Sequence, residues 1–378
     1  MKNQSLKIFN CPLCFSDEFF FFFIGNKLIR HLDFNLVDAG ETLIVQCIKC
    51  KTVFRQSLTA NQNLAESMFK SEEYKEKVNC DHFIFINEFQ KLVSQQFLQA
   101  RIIKKNLKKE KLDVLDIGCL DGKLLSELNK LYPNGIFYGF DIDDNTKGEF
   151  PKQKNFKFFH SDLGQIKEKF DLIIFSHSIQ YIHNIHKYFS HVIRLLKDTG
   201  IIYVQVPDYS KKPCTLFMYD HLFHFNSTNI SNFCKYFGFK IDLIDTTWFP
   251  RDIVGVAYRN KYATGKNNIY DCDNSLKQII NYVLKLNEGL LEYEQKYNKL
   301  VVLGTTVEAA YVSAILGNSI AFYIDENHTK VNKLFNNKKV CHPKHLSHND
   351  NVIIPYGKTS LSIKEIFVNK YNGNFLTI

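Results

Sequence analysis

Apolar positions along the chain change period several times, and each change predicts an element. Before residue 60, β-branched and aromatic residues fall in short runs; the most apolar, 19–24, is strand length. Between about 61 and 110, Phe85, Phe89, Leu92, Val93 and Phe97 recur at helical spacing with Lys and Gln in the gaps, which predicts a helical lead-in. From Leu112 the texture changes. The run 112–117 reads as a buried strand ending in a glycine turn, and Leu124, Leu125, Leu128 and Leu131 mark an amphipathic helix stopped by Pro133. Further strands are expected over 136–142, 156–160, 172–175 and 201–206, with a helix near 185–197. Strands alternating with helices at this spacing predict a parallel, doubly wound α/β sheet. A polar, loop-like stretch over 260–273 follows, then a helix over about 275–297. A second, smaller α/β unit opens with strand 300–303, Gly304, a helix to Leu316 and strand 320–324.

The chain has 378 residues, 45 % of them hydrophobic, enough for several cores. Three regions are expected: a β-rich module over 1–60, the central α/β domain with its lead-in over 61–260, and the smaller α/β domain over 261–378. Lys and Arg number 48 against 39 Asp and Glu, a net charge of +9, which permits an anionic partner. The excess is scattered, as in Lys104, Lys105, Lys108 and Lys109, and reads as a solvated face rather than a nucleic-acid patch. No apolar run approaches the roughly 18–20 residues of a membrane helix. The first residues lack a basic stretch followed by an apolar one, so no secretory signal is evident and a cytoplasmic location is expected.

Ten cysteines include two C-x-x-C pairs, Cys11-Pro-Leu-Cys14 and Cys47-Ile-Lys-Cys50. Two such knuckles flanking a β-rich stretch can offer four thiolates to one tetrahedral Zn²⁺. Four thiolates close the coordination shell, so this metal is expected to be structural.

The first central strand runs into Asp116-Ile117-Gly118-Cys119-Leu120-Asp121-Gly122. Glycines let backbone approach a ligand where a Cβ would clash, and carboxyl ends of strands are where open α/β sheets bind ligands. The second strand ends in Asp141-Ile142, with the carboxylate placed to accept from ribose hydroxyls. Ser161-Asp162 follows the third strand and Ser176-His177 the fourth. These landmarks, in this order, resemble the motifs of class I S-adenosylmethionine (SAM)-dependent methyltransferases. The likeness implies a SAM site on Asp116, Gly118, Cys119, Gly122, Asp141, Ile142, Asp162, Ser176 and His177. The missing third glycine of G-x-G-x-x-G argues against a nicotinamide site.

Past the fifth strand lies Tyr219-Asp220-His221-Leu222-Phe223-His224. A histidine oriented by a carboxylate can take a proton near neutral pH, so His221 is the candidate general base, with Asp220, Tyr219, His224 and, after the fourth strand, Tyr181 around it. Taken together, the parts resemble the nucleotide-sugar C-methyltransferases of deoxysugar and surface-glycan pathways. That family has an N-terminal zinc-binding domain, a class I SAM domain and a C-terminal Rossmann-like domain. The turn is similar to its DIGSNDG motif, and Tyr219-Asp220-His221-Leu222 to its HEHL segment. Cys11, Cys14, Cys47 and Cys50 match its zinc ligands. The chain departs from the family at Met218, at Tyr181 and at Phe249-Pro250-Arg251-Asp252-Ile253, which leaves both C- and O-methylation open. The resemblance implies a small-molecule substrate, a nucleotide-sugar or a related polysaccharide precursor. The competing readings are a zinc-ribbon RNA methyltransferase and a non-catalytic SAM-fold binding protein.

Overall fold

The computed structural model describes residues 10–30, 33–57, 83–86, 91–107, 109–160, 162–259 and 275–378. The boundaries expected near residues 60 and 260, and the polar stretch 260–273, lie outside these.

The β-rich runs of the first region become an antiparallel meander of β1 (Phe19–Ile29), β2 (Leu36–Cys47) and β3 (Val53–Ser57). Next come β4 (Phe83–Ile86) and β5 (Lys91–Ser94), paired antiparallel, and helix α1 (Gln95–Asn106). This corrects the helical expectation over 83–86 and 91–94. Phe83-Ile84-Phe85-Ile86 is an unbroken aromatic and β-branched run, which suits a pleated strand better than a helix with a wet face. The helix starts only at Gln95, where the Ser94 hydroxyl accepts the Phe97 N–H at 3.2 Å. Phe89 lies outside the described residues.

The central sheet contains β6 (Asp113–Ile117), β7 (Ile136–Asp141), β8 (Phe156–His160), β9 (Phe170–Ser176) and β10 (Leu196–Pro207). Helices α2 (Lys123–Leu131) and α3 (Ile185–Leu195) lie among them in the chain. A two-residue strand, β11 (Phe223–His224), helix α4 (Ser227–Tyr236), and strands β12 (Phe239–Asp245) and β13 (Asp252–Arg259) follow. The strand order is β12-β13-β10-β9-β6-β7-β8. Strands β6 to β10 are parallel, and β13 runs antiparallel between β10 and β12. Helices cover both faces, which is why β9 is buried from Phe170 to Phe175 with no polar alternation. The order in which successive strands are added reverses at β6, so the crevice past the carboxyl ends of β6, β7 and β9 is the topological switch point. This is the class I Rossmann-like methyltransferase arrangement.

The last region begins with α5 (Ser275–Lys296). It then forms a sheet of β14 (Leu300–Leu303), β15 (Ile320–Ile324), β16 (Leu334–Phe335), β17 (Lys338–Cys341), β18 (Asn351–Ile354) and β19 (Asn374–Thr377). Helices α6 (Val307–Leu316) and α7 (Ser360–Lys370) accompany it. The order β16-β17-β15-β14-β18-β19 is parallel except for β16.

The three sheets share packing. Ile29, Ile44 and Val53 of the first sheet meet Leu216, Phe217 and Met218 of the central region and Leu276, Ala310 and Tyr311 of the last in one apolar cluster. Lys212 reaches Glu308 of α6 at 2.6 Å, and the Leu36 N–H donates to the Asn336 amide oxygen at 3.1 Å. Most consequentially, β11 leaves the central region and joins the first sheet as its fourth strand, beside β3. Among the described residues, no helix is long and apolar enough to cross a membrane.

Candidate active site

The turn after β6 is built by backbone strain that only certain residues tolerate. Gly118 sits at φ 81°, and its N–H donates to the Phe140 carbonyl at 2.8 Å. A Cβ there would fall 2.7 Å from Cβ of Ser178, in the loop after β9. The turn is thus pressed against both neighbouring strand ends. Asp141 closes it from β7: its carboxylate accepts the Leu120 N–H at 3.0 Å and the Asp143 N–H at 3.1 Å. Gly122 (φ 74°) opens α2, where a Cβ would meet the Phe150 ring at 2.9 Å.

Asp116, Asp141 and Asp143 are all buried here. Burial first, then the charges of Asp141 and Asp121, push the Asp116 carboxyl up to about 8. Asp141 is also raised, chiefly by burial, with backbone N–H groups acting against the shift. Asp116 Oδ1 is buried without a hydrogen-bond partner among the described residues. Crowded, dry carboxylates with a spare acceptor suit a ligand that brings positive charge and donors, as a sulfonium with an ammonium and ribose hydroxyls does. The residues present therefore fit SAM.

The remaining expected contacts differ in placement. Ile142 is exposed beside the cradle. Asp162 is exposed too, and its carboxylate already accepts the Gly164 N–H at 2.8 Å. Ser161 lies outside the described residues. Cys119 is buried with its thiol pKa pushed well up by burial and then by Asp141 and Asp116, so it stays protonated and serves as packing.

Ser176 and His177, at the end of β9, join a polar chain that sequence reading did not assemble. Gln99 of α1 donates to Ser176 Oγ and to Gln205 Oε1, both at 2.8 Å. Gln205 donates to Asp252 Oδ2 at 2.7 Å, and His177 Nε2 lies 3.1 Å from the same oxygen. Burial pulls the His177 pKa down, but the Asp252 charge and hydrogen bond pull harder and raise it. Gln205, fully buried, was the available signal: it interrupts the apolar run Ile201-Ile202-Tyr203-Val204-Gln205-Val206.

Tyr219, Asp220, His221 and His224 are all buried past β10. The structure brings His221 to Tyr181, ring centroids 5.4 Å apart, and to His224 at 5.9 Å. With Gln180, Tyr209 and Thr215, the two histidines line a narrow crevice, closed to a water molecule in this conformation. His224 is pulled down to about 3, by burial and then by the Arg55 charge, and is neutral at working pH. That makes it a weaker proton acceptor than an ordinary imidazole. Arg55, which sequence reading also missed, comes from β3. Its backbone N–H donates to the Leu222 carbonyl at 2.9 Å and its Nε to the His221 carbonyl at 3.3 Å. No local signal marks it, because its neighbours here are 166 residues away in sequence.

The four knuckle cysteines converge. Their sulfurs lie within 4.8 Å of one another, with Cys11–Cys50 and Cys14–Cys47 each at 3.5 Å. A tetrahedron with Zn–S bonds near 2.3 Å has S···S edges of about 3.8 Å, so the set fits that metal. Both knuckles use one backbone device: the residue after each pair, Phe15 and Lys51, is left-handed and donates to the first cysteine's carbonyl at 3.0 Å. The first knuckle docks on α3, where His186 Nε2 meets the Leu13 carbonyl at 2.8 Å.

Residues 88–244 match a family described as a methyltransferase domain. Over 112 residues the chain is 30 % identical to the trans-aconitate 2-methyltransferase of Enterobacter sp. (strain 638), covering 28 % of this chain and 43 % of that protein. Over 124 residues it is 27 % identical to the enzyme of the same name from Escherichia coli (strain 55989 / EAEC), covering 32 % and 48 %. The chain thus spans under half the length of these relatives. Among solved structures it is similar to the plantazolicin methyltransferase BpumL, at TM-score 0.41 and 16 % identity, over 53 % of this chain and 95 % of that one. The matched residues contain β6, β7, β9 and β10 with the cradle they carry, so the methyltransferase-domain match and the class I Rossmann-like fold fall on the same part of the chain.

Proposed function

We propose that the chain methylates a small-molecule acceptor, a nucleotide-activated sugar or related glycan precursor, on carbon or oxygen, with His221 as the general base. One observation carries the reading: the short loop after β9 touches both sites, with Ser178 packed on Gly118 of the cradle and Tyr181 meeting His221 of the buried segment 219–224.

Asp116 and the glycine turn hold the methionine end, and Asp141 faces the ribose. Bound there, SAM supplies an electrophilic methyl group on a sulfonium. The chain's residues have two tasks beyond that: to align the acceptor with the methyl group, and to take its proton. His221 is placed for the second. Asp252, through His177, sets the charge and orientation of a ring at the end of β9, beside the methionine end. Cys11, Cys14, Cys47 and Cys50 would hold a structural Zn²⁺, with no open coordination position for chemistry. The arrangement of a four-cysteine module, a SAM domain and a second α/β unit supports the nucleotide-sugar reading. The relatives named trans-aconitate 2-methyltransferases favour a second acceptor class, a small organic acid.

Incubating the protein with SAM and a panel of nucleotide-sugars and organic acids, followed by mass spectrometry for a gain of one methyl group, tests the proposal. Methylation of a nucleotide-sugar is expected; methylation confined to acids would move the function to the second class. Product NMR separates C- from O-methyl. His221→Ala should lower kcat by about 10²–10⁴ while SAM still binds; unchanged turnover would remove His221 from the mechanism.

A further inference from the structure

We infer that Arg55, supplied by the cysteine module, anchors an oxyanion of the methyl acceptor, a phosphate or carboxylate group; this rests on segment 219–224 being the acceptor site.

The position of Arg55 is fixed by main chain. Strand β3 pairs with β11, Phe54 opposite Phe223 and Val53 opposite His224. Leu222 is bonded from both sides: its carbonyl accepts the Arg55 N–H, and its own N–H donates to the Gln180 carbonyl at 2.8 Å. Arg55, Leu222 and Gln180 therefore lie side by side, with His221 and His224 flanking Leu222 in sequence. The guanidinium stands over the Tyr219 ring, 5.2 Å from its centroid, and feels the Asp220 charge.

A guanidinium that merely ties two segments together spends its forked nitrogens on carbonyls or carboxylates. Arg55 does not. Its Nε bonds the His221 carbonyl, but neither terminal nitrogen has a hydrogen-bond or ion-pair partner among the described residues. Burial lowers its own pKa, so the cation is held partly dry. Asp220 lends its charge from nearby, and the terminal N–H groups remain available to an anion that enters beside it. The planar fork matches the two oxygens of a carboxylate or phosphate. A second observation points to a ligand at the same place. Both amide atoms of Gln180 and Nε2 of His224 are buried without hydrogen-bond partners among the described residues, at side chains lining the narrow crevice beside His221. Unsatisfied polar atoms in a native site call for a partner. The acceptor would thus be gripped by its charge at Arg55 and presented to His221 from the module side.

The test is calorimetry on the full, metal-loaded chain saturated with S-adenosylhomocysteine, using inorganic pyrophosphate in one arm and citrate in the other. At least one probe should bind the wild type at one site, and Arg55→Met should weaken it about tenfold or more. Arg55→Lys, which keeps the charge but loses the fork, should also weaken it. Bound zinc and S-adenosylhomocysteine affinity should stay within about twofold of wild type in both variants, which shows the fold intact. If Arg55→Met misfolds, Arg55→Lys decides alone. Pyrophosphate dependence marks a phosphorylated acceptor, and citrate dependence a carboxylic one. Equal binding by wild type and variants, or no binding of either probe by wild type, overturns the inference. Failure of the wild type to bind S-adenosylhomocysteine would instead defeat the proposed function, while Arg55-dependent oxyanion binding would still stand.

Discussion

Asp116 is the residue whose environment says most about the site. Its carboxyl is raised to about 8, so the folded apo protein holds a proton that the unfolded chain releases near pH 4. Between those values the native state binds more protons, and stability falls as pH rises. Asp116→Asn should therefore leave thermal stability unchanged near pH 4 and raise it, by on the order of a few kcal/mol, near pH 8. The same variant should weaken SAM binding. Melting curves across pH test the first part, and parallel profiles for variant and wild type would show that Asp116 is not strained in the apo state. At this scale, what was legible in sequence was what is local: glycines and carboxylates spaced within one β-α-β unit. Arg55, Gln99 and Asp252 were not legible as site residues, because strand pairing and packing bring them there from distant positions.

At the scale of elements, β11 is only two residues long, yet it links the four-cysteine module to the candidate base. Its partner β3 follows the second knuckle directly, so order at Cys47 and Cys50 is transmitted to Phe223 and His224 through main-chain pairing. Stripping the metal, or Cys47→Ser, should remove hydrogen-exchange protection from β2, β3 and residues 222–225. β6, β7 and β9 should keep theirs, and S-adenosylhomocysteine should still bind. Protection at 222–225 that survives metal loss would mean the segment is held from the central domain instead. Central strands were readable because cover on both faces makes them continuous apolar runs. The 83–94 region misled because a few aromatic and β-branched residues satisfy two periods at once; Phe83–Ile86 chose the strand.

For the whole molecule, the three sheets behave as one packed body at the segment 209–218. Lys212 and Glu308 form an ion pair across it, with side chains 18 % and 10 % exposed. Glu308 is held below the usual carboxylate range, against the push of burial, by the Lys212 charge and hydrogen bond and by Thr306. Lys212→Met strands that carboxylate and should cost about 3 kcal/mol in a urea titration; adding Glu308→Gln should recover most of it. Additive losses in the double variant would mean the pair does not clamp the last α/β unit. This contact had no sequence signature, since neither residue sits in a motif and 96 positions separate them.

The central claim is that the carboxylate cradle past β6 and β7 receives SAM, and calorimetric titration of SAM into the wild type and Asp141→Ala tests it most directly. One site of micromolar affinity is predicted for the wild type, weakened at least about tenfold by the substitution. Absence of heat with the wild type, or equal affinity in the variant, would contradict it.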